Sequence, residues 1–141
     1  MALVGTFVLD QGIKDLFVQG FGWHHRCLSL ELHYNPGVAF SFLAFLGSGL
    51  KWLQMVLIAG IALYLIVSRL VWEYPLALGM LLGAAVSNLY DRFIHPGVVD
   101  YVAWHCGFNY AVFNYADVVI DAVIVWILLQ SYRQYRREKK T

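Results

Sequence analysis

LKWLQMVLIAGIALYLIV, Leu50 to Val67, decides the fold: it is an apolar run interrupted only by Lys51 and Gln54. At 1.5 Å per residue it approaches a hydrocarbon core of about 30 Å, which takes roughly 20 helical residues to cross. Pro75 to Tyr90 carries no charge, and Ala111 to Gln130 carries only Asp117 and Asp121. Ala2 to Phe21 is weaker, because Asp10, Gln11, Lys14 and Asp15 lie inside it. With 60% hydrophobic and 13% charged residues, the 141-residue chain is built for lipid rather than water. We expect an all-α membrane protein of four transmembrane helices, near residues 2–21, 50–69, 74–92 and 111–131. A small β platform on the outward side completes a single domain over residues 1–141.

Basic residues set the orientation. Five of the ten Lys and Arg lie in the tail, at Arg133, Arg136, Arg137, Lys139 and Lys140, and Arg69 lies between the second and third spans. The positive-inside rule puts that turn and the C-terminus in the cytoplasm. Four crossings then leave both termini cytoplasmic, with residues 22–49 and 93–110 facing outward. The basic tail reads as a topology anchor rather than a nucleic-acid patch. The N-terminus lacks a basic region ahead of its apolar stretch, which argues against a cleaved signal peptide. Only nine residues precede Asp10, about 14 Å of helix, so we expect a first helix that is short or tilted, or a start further upstream.

In the first outward segment Leu28, Leu30, Leu32 and Tyr34 alternate with Ser29, Glu31 and His33. That is the period of a strand with one apolar face, and it ends on the turn residues Asn35-Pro36-Gly37. A sheet edge cannot face hydrocarbon, so the strand belongs at the outer surface or against the helices.

The polar residues of the spans collect toward that same side. Asp10 and Lys14 are four apart and can pair on one helical face. Asn88, Asp91 and Arg92 close the third span, Asp100 follows, and Asn114 and Asp117 open the fourth. Within a helix Asn114 and Asp117 share a stripe, so the amide can orient the acid. Asp91 and Arg92, being adjacent, need different partners. Ionised acids near lipid are costly, which makes Asp100 and Asp117 functional candidates. Two close acids cannot both ionise, so one can take a proton from an attacking water while the other donates to the carbonyl, as in an aspartic protease. Spacing alone leaves Asp10, Asp91 and Asp121 available as well.

Five segments in order carry a resemblance. Asp10-Gln11-Gly12-Ile13-Lys14, Asn35-Pro36-Gly37-Val38-Ala39-Phe40-Ser41, the block Gly83 to Arg92, Val98-Val99-Asp100-Tyr101 and Phe113-Asn114-Tyr115-Ala116-Asp117 together resemble the lipoprotein signal peptidase (signal peptidase II) family. The resemblance implies an aspartyl endopeptidase of the bacterial inner membrane. Its substrates would be prolipoproteins with a diacylglyceryl cysteine, cut just before that cysteine. Asp100 and Asp117 inherit the catalytic roles. Asp10, Lys14, Asn35, Gly37, Asn88, Asp91, Arg92, Asn114 and Ala116 inherit supporting ones. No metal, cofactor or nucleic acid is implied; the partners are the prolipoprotein and membrane lipid, and the chain is expected to be monomeric.

The sequence also departs from the family pattern. Ala84 and Ser87 replace glycines but stay small enough for close helix packing. Val118 stands where serine is common, removing a hydroxyl near the acids. Asp121 is an extra acid, read first as a structural one bridged by water or paired with Lys. Cys27 and Cys106 share the outer side, where disulfides persist. With His24, His25 and His105 they admit zinc as a rival, although no HExxH or paired CxxC spacing supports it. Two other classes stay open: a noncatalytic four-helix scaffold and a small transporter, the latter without the half-symmetric broken helices that such proteins show.

Overall fold

A computed structural model describes residues 1–37, 43–108 and 111–139. The described residues form four long helices, α1 (Ala2–Val18), α2 (Gly49–Val67), α4 (Pro75–Ile94) and α5 (Tyr115–Glu138), with a short α3 (Leu70–Glu73) and three strands, β1 (Trp23–His24), β2 (Leu28–Asn35) and β3 (Val98–Trp104). The chain is therefore mostly helical with a small antiparallel sheet in the order β1-β2-β3. Residues Val38 to Ser41 of the second motif, together with Tyr110 and Lys140, lie outside the described residues.

Helix α4 is the hub, packed on α1, α2 and α5. Its small residues explain why. A Cβ built on Gly83 would sit 2.4 Å from the Leu3 carbonyl oxygen, so α1 meets the α4 backbone directly. Ala84 is fully buried in a cluster with Ala116, Val119 and Val123 of α5. The departures Ala84 and Ser87 thus sit inside the contact, with no exposed surface.

Helix α1 inverts the pattern of a water-soluble helix. Its buried stripe is Thr6, Asp10, Lys14 and Phe17, spaced by four, four and three residues, while Val4, Val8, Leu9 and Leu16 stand exposed. A helix in water turns its apolar face inward. Helix α2 is apolar apart from Lys51 and Gln54 and is buried only at Leu50 and Leu65. Among the described residues two helices, Gly49–Val67 and Tyr115–Arg137, are long and apolar enough to cross a membrane by length and composition.

Boundaries differ from expectation at both ends. Helix α1 stops at Val18 and the chain turns at Gly20, φ +100°. Helix α5 starts at Tyr115 rather than near 111, because Phe113 bridges to Val102 of β3 and Asn114 caps the helix. It then continues beyond 131 through Arg and Gln residues that favour helix, with Arg136 and Arg137 complementing the dipole in its last turn.

Strand β2 lies where its alternation placed it. Its partner β3 has no such alternation, since Val98, Val99, Asp100 and Tyr101 are all buried. The register His33 to Asp100, Tyr34 to Val99 and Asn35 to Val98 follows an irregularity that inserts one extra β2 residue after Leu30. Gly97 permits the close entry into β3: a Cβ there would lie 2.4 Å from the Asn35 carbonyl oxygen. At the other end of the ladder Cys27 and Cys106 form a disulfide, with Cα atoms 4.4 Å apart.

Candidate active site

A buried lysine anchors the polar cluster. Lys14 Nζ lies 2.6 Å from Asp10 Oδ2 and 2.7 Å from Asp91 Oδ2, and it donates to Asn88 Oδ1 at 2.8 Å. All three ammonium hydrogens are thereby used. Asp10 also accepts from the Ser87 hydroxyl at 2.7 Å and from the Ala116 amide at 2.9 Å. Asp91 accepts from Gln11 Nε2 at 2.7 Å and from the Val99 amide at 3.0 Å. A buried ion pair holds only when its remaining lone pairs are satisfied, and here they are. The cluster ties α1, α4, β3 and the N-terminus of α5 together. The i,i+4 pair foreseen for Asp10 and Lys14 is real, but it is one of two ion pairs that make a triad with Asp91.

Two asparagines pass this order to the acids. Asn88 accepts from Lys14, accepts from Asn114 Nδ2 at 3.1 Å, and donates to Asp117 Oδ1 at 2.9 Å. Asn114 is not within the helix as the sequence suggested; it is its N-cap, with extended backbone at φ −128°. Its side-chain oxygen accepts from the Asp117 amide at 2.9 Å, and its own amide donates to Asp117 Oδ2 at 3.0 Å. This capping box leaves the Asn114 Nδ2 to reach Asp100 Oδ1 at 2.8 Å and the Val99 carbonyl at 3.1 Å. Asp100 Oδ2 accepts from Asn35 Nδ2 at 3.0 Å, and Asn35 Oδ1 in turn accepts from the Gly37 amide at 3.0 Å. Each oxygen of both acids therefore takes a side-chain or backbone donor.

Arg92 holds the turn that carries Asn35. Its guanidinium donates to Gln54 Oε1 at 2.8 Å, to the Asn35 carbonyl at 3.5 Å, to the Pro36 carbonyl at 3.3 Å, and to the Gly37 carbonyl. Asp91 and Arg92 do face different partners, one inward and one toward the turn.

Asp100 and Asp117 line one cavity of about 320 Å³ with Asn35, Gln54, Asn88 and Arg92. Burial holds the Asp100 carboxyl up at about 7, and the charge of Asp117 adds to the effect. Asn35, Lys14 and Asn114 oppose it. Tyr101, beside Asp100 in β3, is pushed by burial up to about 12, and its hydroxyl oxygen accepts from the Tyr115 amide at 3.0 Å. The first turn of α5 is thus fully engaged.

Every anticipated site residue joins this cluster or its immediate support; Ala116, with no exposed surface, supplies the amide that meets Asp10. Three contributors were not anticipated. Gln54 had been read only as a polar break in a span, Ser87 only as a replaced glycine, and Gln11 only as part of a motif. Polar side chains within apolar helices were the signal that could have found them. Two departures read differently in three dimensions. Val118 is half exposed and does not line the cavity, so a hydroxyl there would not neighbour the acids. Asp121 makes no ion pair among the described residues and lines the cavity instead. Cys27 and Cys106, joined to each other, offer no thiolate for zinc.

A family model described as "Signal peptidase (SPase) II" matches residues 2–133. The chain is 52% identical over 132 residues to the lipoprotein signal peptidase of Sulfurovum sp. (strain NBC37-1), covering 94% of this chain and 90% of the relative. It is 47% identical over 140 residues to that of Campylobacter jejuni (strain RM1221), covering 99% and 88%. A solved bacterial membrane enzyme superposes with a TM-score of 0.82 at 19% identity, over 99% of this chain and 90% of the other; at that identity the match speaks for the fold alone.

Proposed function

The chain belongs to the signal peptidase II family of peptidases, and from that premise we propose that it removes the signal peptide from diacylglyceryl-modified prolipoproteins with Asp100 and Asp117 as the catalytic pair. The observation that carries the assignment is the grip of Asn114 on both acids at the edge of one cavity. Asp100, held near 7, carries the proton and donates to the scissile carbonyl oxygen. Asp117 accepts a proton from water as the water oxygen bonds to the carbonyl carbon. In the tetrahedral intermediate Asp117 returns that proton to the leaving nitrogen, the C–N bond breaks, and Asp100 recovers its own proton from the collapsing diol. The net result is one water consumed per bond cut.

The same reading extends to the membrane. Four spans, α1, α2, α4 and α5, place the sheet and the acids at the periplasmic side and both termini in the cytoplasm of the bacterial inner membrane. The buried polar stripe of α1 and the exposed apolar side chains of α1 and α2 support this, because such a surface is covered by lipid rather than water. The working unit is a monomer that meets lipid and substrate and has no role with nucleic acid. Purified protein in detergent is expected to cut a lipid-modified preprotein and leave the lipidated cysteine as the new N-terminus by mass. Failure to cut, or a cut elsewhere in the chain, would refute the assignment. A scaffold or transporter predicts no cleavage at all.

A further inference from the structure

A second cavity lies beside the acid-lined one. Its volume is about 340 Å³, and it sits where the start of α2 meets the end of α4, with Ser48, Lys51, Arg92 and His95 in its wall. Among the described residues no carboxylate lines it. Lys51 is half-buried there, with its ammonium 5.0 Å from the centre of the Phe93 ring and 5.8 Å from that of Trp52. It makes no hydrogen bond or ion pair among the described residues, so its three donors lack a protein acceptor. The Ser48 hydroxyl also has no partner among the described residues and does not cap α2. Arg92, whose donors go to Gln54 and to the carbonyls of the Asn35–Gly37 turn, adds its charge. A half-buried ammonium without an acceptor, next to a fixed cation and an uncapped helix start, calls for an anion.

The surroundings name the kind of anion. Trp52 and Phe93 meet edge to face at 5.6 Å, and both are exposed. Aromatic side chains near a helix end mark the headgroup level of a bilayer. Further into the span Leu53, Val56 and Leu57 stand exposed, a surface that acyl chains cover. An anion held at this level, with apolar surface directly beneath, is the phosphate of a phospholipid. The wall also selects among phospholipids. A zwitterionic headgroup brings an ammonium that would meet Lys51 and Arg92 and no acid, whereas phosphatidylglycerol brings its phosphate with hydroxyls alone. The diacylglyceryl group of the proposed substrate carries no phosphate, so the ligand is a membrane lipid distinct from the substrate.

We propose that the cavity of Ser48, Lys51 and His95 binds the phosphate of an anionic phospholipid from the outer leaflet. Only the choice of leaflet rests on the orientation proposed above. Arg92 lines both cavities, so the bound lipid borders the side chain that holds the turn carrying Asn35.

The test is native mass spectrometry of the full chain in detergent, titrated with phosphatidylglycerol or with phosphatidylethanolamine of the same acyl chains. Wild type is expected to bind one phosphatidylglycerol about tenfold more tightly, the size of one hydrogen bond between charged groups. Lys51→Gln should bring the ratio of affinities close to one, and Lys51→Arg, which keeps the charge, should retain most of it. If Lys51→Gln is not recovered folded, Ser48→Ala with His95→Gln decides, and its ratio must fall below that of wild type. Arg133→Gln with Arg136→Gln, at the other end of the bundle, should keep the wild-type ratio. Equal affinities in wild type, an unchanged ratio in the cavity variants, or loss of the ratio in the tail variant would overturn the proposal. Excess inorganic phosphate should leave the lipid bound; displacement by it would assign the cavity to free phosphate and overturn the lipid. Binding in detergent is read without cleavage, so a protein that fails to cut preprotein yet keeps the ratio sinks only the peptidase reading, and the converse sinks only this site.

Discussion

Asn114 and Asp117 hold each other twice, through the Asn114 side-chain oxygen on the Asp117 amide at 2.9 Å and the Asp117 carboxylate on the Asn114 amide at 3.0 Å. The capping box that starts α5 is thus the same object that aims a proposed catalytic acid. With its remaining amide group Asn114 also reaches Asp100 at 2.8 Å. Helix capping and alignment of the pair share one residue.

That sharing can be separated. Asn114→Ala loses both roles, with about 1 kcal/mol of cap stability and most of the activity. Asn114→Ser keeps an N-cap acceptor but not the donor to Asp100. The Ser variant should therefore melt near wild type while kcat falls with little change in KM. A variant that melts normally and cleaves normally would show that the Asn114 donor has no catalytic role.

The triad around Lys14 predicts a coupled effect on stability. Lys14→Met leaves Asp10 and Asp91 buried without their cation, which should cost about 3–5 kcal/mol. Lys14→Met with Asp91→Asn removes one of the orphaned charges and should recover part of that loss. Thermal unfolding in detergent reads both, and additive losses in the double variant would contradict the triad.

How much of this could be read in the sequence depended on range. The Asp10–Lys14 pair was legible because both lie within one helical turn. Its third member, Asp91, is distant in sequence and joins only through the contact that Gly83 allows between α1 and α4. Strand β2 was legible because one of its faces is polar, giving period two. Strand β3 was not, because burial on both faces leaves Val98-Val99-Asp100-Tyr101 with no alternation to detect. The cap at Asn114 was missed for a related reason: the apolar run from Ala111 continues straight across it, and only pairing of Phe113 with Val102 separates sheet from helix. Cysteine pairing was left open because sequence carries no distance between Cys27 and Cys106.

The titration of Asp100 sets the alkaline side of the pH profile. Its folded value, about 7, lies above its ordinary 3.8, so between those values the folded protein holds a proton that the unfolded chain has released. The contribution of this group to stability is therefore full below about 4 and is lost as pH rises toward 7. Activity follows the same proton: kcat/KM should fall as pH rises through about 7. A pH–rate profile flat from 6 to 9 would contradict Asp100 as the proton-bearing member.

Gly97→Ala tests how the turn serves the site. The added methyl would press on the Asn35 carbonyl and displace the side chain that donates to Asp100. Misplacement of about 1 Å can cost on the order of 10²-fold in rate, so kcat should drop steeply while the Lys14 triad keeps the fold. Unchanged kcat would show that Asn35 does not position Asp100.

Opening the disulfide should act locally. In a Cys27→Ser, Cys106→Ser variant, amide exchange should rise at Leu28–Leu30 and Val102–Trp104, where the ladder loses its clamp, and stay low at Val98–Asp100. Equal protection along both strands in wild type and variant would show that the bridge does not order the sheet.

The central claim is that the carboxyl groups of Asp100 and Asp117 perform the hydrolysis together. Its most direct measurement is single-turnover cleavage of a lipid-modified preprotein by wild type, Asp100→Asn and Asp117→Asn, each shown by thermal unfolding to be folded. Cleavage by wild type and by neither variant is the predicted result. A folded Asn variant at either position that cuts at the wild-type rate would contradict it.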